Sequence, residues 1–305
     1  MVRAGPAATV TRLIGNTPLV RLARIAPKGS DVEIYAKLES FNPGGSVKDR
    51  PALWMVDDAE RRGLLGGRRI LDATSGNMGI ALAMIGAERG RRVTLCVPEN
   101  ASAERKQALR ALGAELVLTS PLEGTDGAQR IAKQMAEREP DEFAYLDQYN
   151  NPANWRAHYD TTGPEIVRQM SRKITHFVAG LGTSGTLVGV SRRLRENDPR
   201  VRVVAVQPDA PLHGIEGLKH MNSALVPGIW DPAAADELLF VSTADAQRAA
   251  KRLVREEGLL VGTSSGAAVA ACLQLATRIR RGRIVTIFPD GAGRYLSERY
   301  WEEGP

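Results

Sequence analysis

Short apolar runs recur along this chain, each followed by a turn rich in Gly, Ser or Thr and then by a stretch whose apolar residues fall at helical spacing. Arg69 to Ala73 leads through Thr74-Ser75-Gly76-Asn77 to a predicted helix over about residues 78–89. Val93 to Val97 precedes a helix over about 103–112, and Glu115 to Thr119 precedes one over about 125–139. Strand and helix alternating at this spacing predict an α/β fold, with mostly parallel sheets and helices on both faces. Ahead of the repeat, Gly15-Asn16-Thr17-Pro18 reads as a turn, and Leu19 to Leu22 and Val32 to Leu38 as short strands. A cluster of Asp, Asn, Gln and Pro at 147–154 interrupts the pattern. It resumes with Thr175 to Ala179, the loop Gly180 to Thr186, a helix with Leu187, Val190 and Leu194 on one face, and the strand Val201 to Val206. Residues 208–240 are punctuated by Pro and Gly and read as loops near a cleft. Helices over about 245–257 and 265–280 bracket Gly262-Thr263-Ser264-Ser265-Gly266, and Ile284 to Phe288 is the last strand.

Length and composition narrow the class. With 305 residues the chain can bury one large core or two ordinary ones, and two lobes are expected. No apolar run approaches the roughly 18 residues of a membrane span, and no charged-then-apolar leader opens the chain. The net charge of +6 comes from arginines scattered among acids, which reads as solvated helix faces and not as a nucleic-acid stripe. Cys96 and Cys272 sit in apolar stretches as small hydrophobes, which suits a reducing, cytoplasmic compartment. His158, His176, His213 and His220 show no metal-ligand spacing, so no metal site is expected.

The chemistry is expected to centre on Asn42-Pro43-Gly44-Gly45-Ser46-Val47-Lys48-Asp49-Arg50. Pro and Gly delay the helix, Ser46 can cap it, and a helix from Lys48 to about Arg62 follows. Lys48 therefore lies at a helix N-terminus, where the dipole disfavours an ammonium and favours a neutral, nucleophilic amine. Three further polar loops, at 74–77, 182–186 and 262–266, each join a strand end to a helix start. In an open parallel sheet such loops meet at the carboxyl edge, and helix N-termini bind anions. Gly180, Gly182 and Gly185 also fit a dinucleotide fingerprint, so a nicotinamide-dependent oxidoreductase is an alternative. The strand that follows ends at Gln207 where an acid normally holds a ribose, and that reading leaves Lys48 without a task.

Taken together, Asn42 to Arg50, Thr74 to Asn77, Gly182 to Thr186, Gly262 to Gly266 and Arg294-Tyr295-Leu296-Ser297 resemble the cysteine synthase family of fold type II pyridoxal-phosphate enzymes, in the same order over about residues 9–297. Gln148 to Asn154 and Thr161 to Ile166 are most similar to its cysteine synthase B branch. The resemblance implies a Schiff base between the cofactor and Lys48, Asn77 on the ring's phenolic oxygen, and Gly182, Thr183, Ser184, Gly185 and Thr186 around the phosphate. It implies Ser264 at the pyridine nitrogen, and Thr74, Ser75, Asn77 and Gln148 at the substrate α-carboxylate. It also implies a homodimer, a smaller lobe over 35–146, and a larger lobe over 1–34 and 147–305. The expected reaction is β-replacement on an activated serine, O-acetylserine first and O-phosphoserine second, with a sulfur donor, giving L-cysteine. A serine at the pyridine nitrogen makes the cofactor a moderate electron sink, which suits β-elimination.

Two positions depart from the family pattern. Met78 stands where threonine is usual in the substrate-binding loop, and a thioether cannot donate a hydrogen bond; the Asn-Met-Gly form resembles β-cyanoalanine synthases. Lys219 falls near an arginine of phosphoserine-using relatives, and is otherwise a solvated surface lysine. Asp290 is expected in an Asp-Gly turn, and Trp155, Trp230 and Trp301 in packing. A non-catalytic binding relative is the reading from another class, and the retained Lys48, Asn77 and Ser264 argue against it.

Overall fold

The computed structural model describes residues 7–27, 29–74 and 76–302. The chain divides into two units, one of Met1–Asn16 with Asn42–Ala153 and the other of Thr17–Phe41 with Asn154–Pro305. It passes between them after residues 16, 41 and 153, where the sequence reading placed the changes after 34 and 146. The early crossing has a plain cause. Segment 17–41 carries β1 (Leu19–Leu22) and β2 (Asp31–Leu38), an antiparallel pair, and β2 runs unbroken beside the last strand of the second unit.

In the first unit β3 (Arg69–Ala73), β4 (Val93–Pro98), β5 (Glu115–Thr119) and β6 (Phe143–Tyr145) form a parallel sheet in the order β5-β4-β3-β6. Every residue of β4 is buried, as expected of a parallel strand covered on both faces. The helices are α1 (Asp49–Arg61), α2 (Asn77–Arg89), α3 (Ala103–Ala111) and α4 (Gly124–Arg138). Each lies within a residue or two of the span its apolar spacing predicts. Ser102 Oγ accepts the Arg105 N–H at the start of α3, and Gly90, with φ of 62°, closes α2 in the left-handed conformation that glycine adopts cheaply.

The cluster of Asp, Asn and Pro that interrupts the pattern opens a helical segment: α5 (Pro152–Ala157), a π-helical turn (His158–Thr162) and α6 (Gly163–Gln169). Apolar periodicity is weak there, which hid it. The second unit continues with β7 (His176–Gly180), α7 (Gly185–Asn197), β8 (Arg202–Pro208), β9 (Glu237–Val241), α8 (Thr243–Arg252), α9 (Thr263–Ala276) and β10 (Arg281–Phe288). Its six strands run in the order β1-β2-β10-β7-β8-β9, parallel except for β1. Strand β9 lies inside the stretch that Pro and Gly made unreadable. The helix expected over 245–257 is α8 followed by a π-helical turn, Leu253–Glu257. Helix α9 is apolar after its first turn except for Gln274 and is mostly buried.

A buried polar network fixes the crossing segment in the second unit. Lys37, fully buried, places Nζ 2.7 Å from Glu165 Oε2 and donates to the Thr17 carbonyl at 2.6 Å and to Gln169 Oε1 at 2.8 Å. Thr17 in turn donates to Glu39 Oε1 at 2.7 Å.

Candidate active site

The first unit contributes the lysine and a polar strand end. Gly45, with φ of 80°, turns the chain so that its N–H bonds the Asn42 carbonyl at 2.8 Å, and the Asp49 carboxylate accepts the Gly44 N–H. A Cβ on Gly44 would fall 2.5 Å from Asp49 Oδ1, so the turn accepts no larger residue without a shift. Lys48, half-buried, is the residue that caps α1: its carbonyl accepts the Ala52 N–H at 3.0 Å, and its own N–H donates to Ser46 Oγ at 3.2 Å. Lys48 is thus one residue ahead of the expected first turn, still at the positive end of the helix.

At the carboxyl end of β3, buried Thr74 turns its hydroxyl inward and accepts the N–H groups of Gly76 at 3.0 Å and Gly79 at 3.3 Å. It therefore shapes the start of α2. Asn77 begins that helix half-buried, and Gln148, buried, donates Nε2 to the Ala73 carbonyl at 2.7 Å. Thr74, Asn77 and Gln148 therefore share one strand end, while Ser75 lies outside the described residues. The Met78 side chain belongs to the apolar core of this unit and is 2% exposed. Beside the strand end, burial pushes the Asp72 carboxyl up to about 8, against the Ala73 N–H that pulls it down and with the Asp147 charge adding to the rise.

The second unit contributes the phosphate-loop candidate. Between β7 and α7, Ser184 adopts the left-handed conformation with φ of 69°, a strained state for a non-glycine residue and common at ligand sites. A Cβ on Gly182 would fall 2.2 Å from the Gly217 carbonyl oxygen. Asn154 Nδ2 donates to Thr183 Oγ1 at 3.1 Å, and His158 Nε2 lies 3.2 Å from Thr186 Oγ1. Neither Asn154 nor His158 was singled out from sequence; their spacing of four on a segment leading toward the loop was the available signal. Ser264 sits buried in the first turn of α9. Asp290, buried, accepts the Tyr295 hydroxyl, and its Oδ1 would lie 2.2 Å from a Cβ on Gly262, so it does more than close a turn. Lys219 is not a solvated surface lysine. It is 7% exposed, bonds the Leu181 carbonyl through its N–H at 2.7 Å, and donates Nζ to the Leu225 carbonyl at 3.2 Å.

These residues suit a phosphorylated group. The loops lead into the N-termini of α7 and α9, the helix ends that favour anions, and the buried hydroxyls of Ser184 and Ser265 have no hydrogen-bond partner among the described residues. Burial holds the thiols of Cys96 and Cys272 up at about 12, which keeps both unreactive. Among the described residues no group of three His, Cys, Asp or Glu could hold a metal, and no helix is long and apolar enough to cross a membrane.

Residues 10–290 match the model of a family described as pyridoxal-phosphate dependent enzyme. The chain belongs to that family. It is 54% identical to a cysteine synthase of Aquifex aeolicus, over 95% of this chain and 90% of the relative. It is 47% identical to cysteine synthase B of Salmonella typhimurium, over 95% and 94%. Among solved structures, O-ureido-L-serine synthase superposes with a TM-score of 0.91 at 40% identity, covering 99% and 98% of the two chains. A cysteine synthase of Entamoeba histolytica gives 0.92 at 34%, covering 100% and 95%. The fold is that of the fold type II pyridoxal-phosphate enzymes, the cofactor is pyridoxal 5'-phosphate, and the dinucleotide reading of Gly180 to Gly185 falls.

Proposed function

We propose that this enzyme makes L-cysteine by β-replacement on an activated serine with a sulfur donor, the activated serine being O-acetylserine or, as the alternative, O-phosphoserine. The observation that carries the reading is the similarity to cysteine synthases over nearly the whole chain, with Lys48 at the mouth of a helix behind its glycine turn. When bound, the cofactor supplies the electron sink that loosens the Cα proton and the β-substituent. Lys48 holds the cofactor and then takes and returns the Cα proton at Nζ. Asn77 meets the ring's phenolic oxygen, and Gly182, Thr183, Ser184, Gly185 and Thr186 receive the phosphate. Ser264 meets the pyridine nitrogen. Thr74, Ser75, Asn77 and Gln148 hold the substrate carboxylate, with Met78 offering only its backbone N–H. Lys219, buried with its Nζ on the Leu225 carbonyl, is the cation that would meet phosphate as a leaving group in the O-phosphoserine alternative. The protein works in the cytoplasm, a reading that two buried free thiols suit, and as a homodimer, which the family resemblance implies.

The visible absorption of the purified protein tests this, recorded before and after O-acetylserine and, separately, O-phosphoserine. A yellow protein whose band shifts with one of them, and which then releases cysteine on adding sulfide, carries the reading and names the leaving group. A protein that stays colourless after pyridoxal phosphate is supplied overturns it.

A further inference from the structure

Two threonines of the phosphate loop have their hydroxyl oxygens within hydrogen-bond distance of buried nitrogens from one helical stripe. Asn154, His158 and Thr162 are spaced by four residues, so the first two face the loop together along α5 and the π-helical turn. Asn154 and His158 are 0% and 1% exposed. Asn154 Oδ1 lies 2.0 Å from where a Cβ on Gly185 would stand, which leaves Nδ2 for Thr183 Oγ1 at 3.1 Å. On the histidine, Nδ1 lies 3.0 Å from Thr162 Oγ1 and Nε2 lies 3.2 Å from Thr186 Oγ1. In the tautomer whose Nδ1 accepts from the Thr162 hydroxyl, which the inference assigns, the ring hydrogen lies on Nε2 and points at Thr186.

We infer that Asn154 and His158 are positioning residues for the cofactor phosphate: by donating to Thr183 Oγ1 and Thr186 Oγ1 they leave each threonine O–H free to donate outward to the phosphate. A hydroxyl has one hydrogen. If its oxygen already accepts from a buried N–H, the hydrogen points elsewhere, and a phosphate made only of acceptors is the partner that suits it. The strained backbone at Ser184 and its buried, unpartnered Oγ among the described residues show the same loop set for a ligand. The π-helical turn fits this role, since such bulges commonly adjust side-chain aim at functional sites. The inference rests on the proposed role of Gly182 to Thr186.

The test removes the cofactor from the holoenzyme and titrates back pyridoxal 5'-phosphate and, separately, pyridoxal, which lacks the phosphate. For His158→Leu the Kd for pyridoxal 5'-phosphate is expected to rise about tenfold, the scale of one buried hydrogen bond to a charged-ligand donor, while that for pyridoxal moves less than about twofold. His158→Gln, which keeps an N–H, is expected to restore most of the loss, and Thr162→Val to weaken phosphate binding severalfold. The last variant also serves if His158→Leu fails to fold. Equal weakening for both cofactor forms, or a glutamine variant as poor as the leucine, assigns the histidine to packing and overturns the inference. Unchanged binding in all variants overturns it too. Tight wild-type binding of pyridoxal 5'-phosphate that matches pyridoxal removes the phosphate role from the loop itself, and with it the reading beneath.

Discussion

Lys37 and Glu165 form an ion pair of 2.7 Å in which the lysine is fully buried and the carboxylate nearly so. The pair joins β2, early in the chain, to α6 near its middle, and with Thr17 and Gln169 it fastens the crossing segment into the second unit. Lys37→Met would leave a buried carboxylate facing apolar atoms. We expect a loss of about 3–5 kcal/mol in urea unfolding, with the double variant Lys37→Met, Glu165→Leu losing much less. Equal losses in the single and double variants would mean that the pair matters only for its volume.

Asp72 gives the stability a pH slope. Its carboxyl is raised by burial to about 8 in the folded chain, above its ordinary value of 3.8. Between those values the folded protein keeps a proton that the unfolded chain has released. Stability therefore falls as pH rises through this window, by at most about 1.4 kcal/mol per pH unit, and levels off above it. Asp72→Asn keeps the oxygen that accepts the Ala73 N–H and removes the titration. Relative to wild type, the variant is expected to gain stability steadily from about pH 5 to about pH 8. Denaturation midpoints that differ by a constant amount across that range would refute the assignment.

Gly182 has no room for a side chain, because the added Cβ would press on the Gly217 carbonyl oxygen at 2.2 Å. Backbone cannot swing away as a side-chain tip can. Gly182→Ala should displace the loop and weaken pyridoxal phosphate binding by about ten- to a hundredfold, the equivalent of 1–3 kcal/mol of overpacking. A titration that shows unaltered affinity would place the phosphate elsewhere.

The strand-loop-helix repeat was legible because buried parallel strands and amphipathic helices have distinct periods, and α1 to α4 lie close to the predicted spans. The second unit was harder. Strand β9 has apolar residues exposed at Leu238 and Phe240 and follows a run broken by Pro and Gly, so neither period shows. The glycine turns and hydroxyl loops of the candidate site stood out because each is a particular residue chemistry at a strand-to-helix junction. What supports them was not plain: Asn154 and His158 act on threonines about thirty positions away, a relation that only the folded chain displays. Lys219 shows the same limit, since nothing local distinguishes a buried lysine from a solvated one.

Lys48→Ala removes the amine while leaving the backbone that caps α1, so the variant should fold. Its rate of β-replacement is expected to fall by at least about three orders of magnitude, the scale of a lost general base and covalent anchor. Initial rates of cysteine formation measure this directly. Activity near that of the wild type would take the lysine out of the mechanism.

Met78 differs from the threonine usual at its position, yet its side chain lies in the core with Leu82, Leu95 and Leu109 in the same apolar cluster. A thioether there contributes packing. Met78→Thr would shorten a buried side chain and put a hydroxyl into an apolar cluster. We expect a stability loss of about 1–3 kcal/mol, read from thermal or urea unfolding. The ratio of turnover with sulfide to turnover with cyanide should stay within about twofold of wild type, because core packing does not discriminate between nucleophiles. A ratio shifted tenfold toward sulfide, with stability unchanged, would instead put the residue 78 side chain against the substrate and make it the determinant of which nucleophile is used.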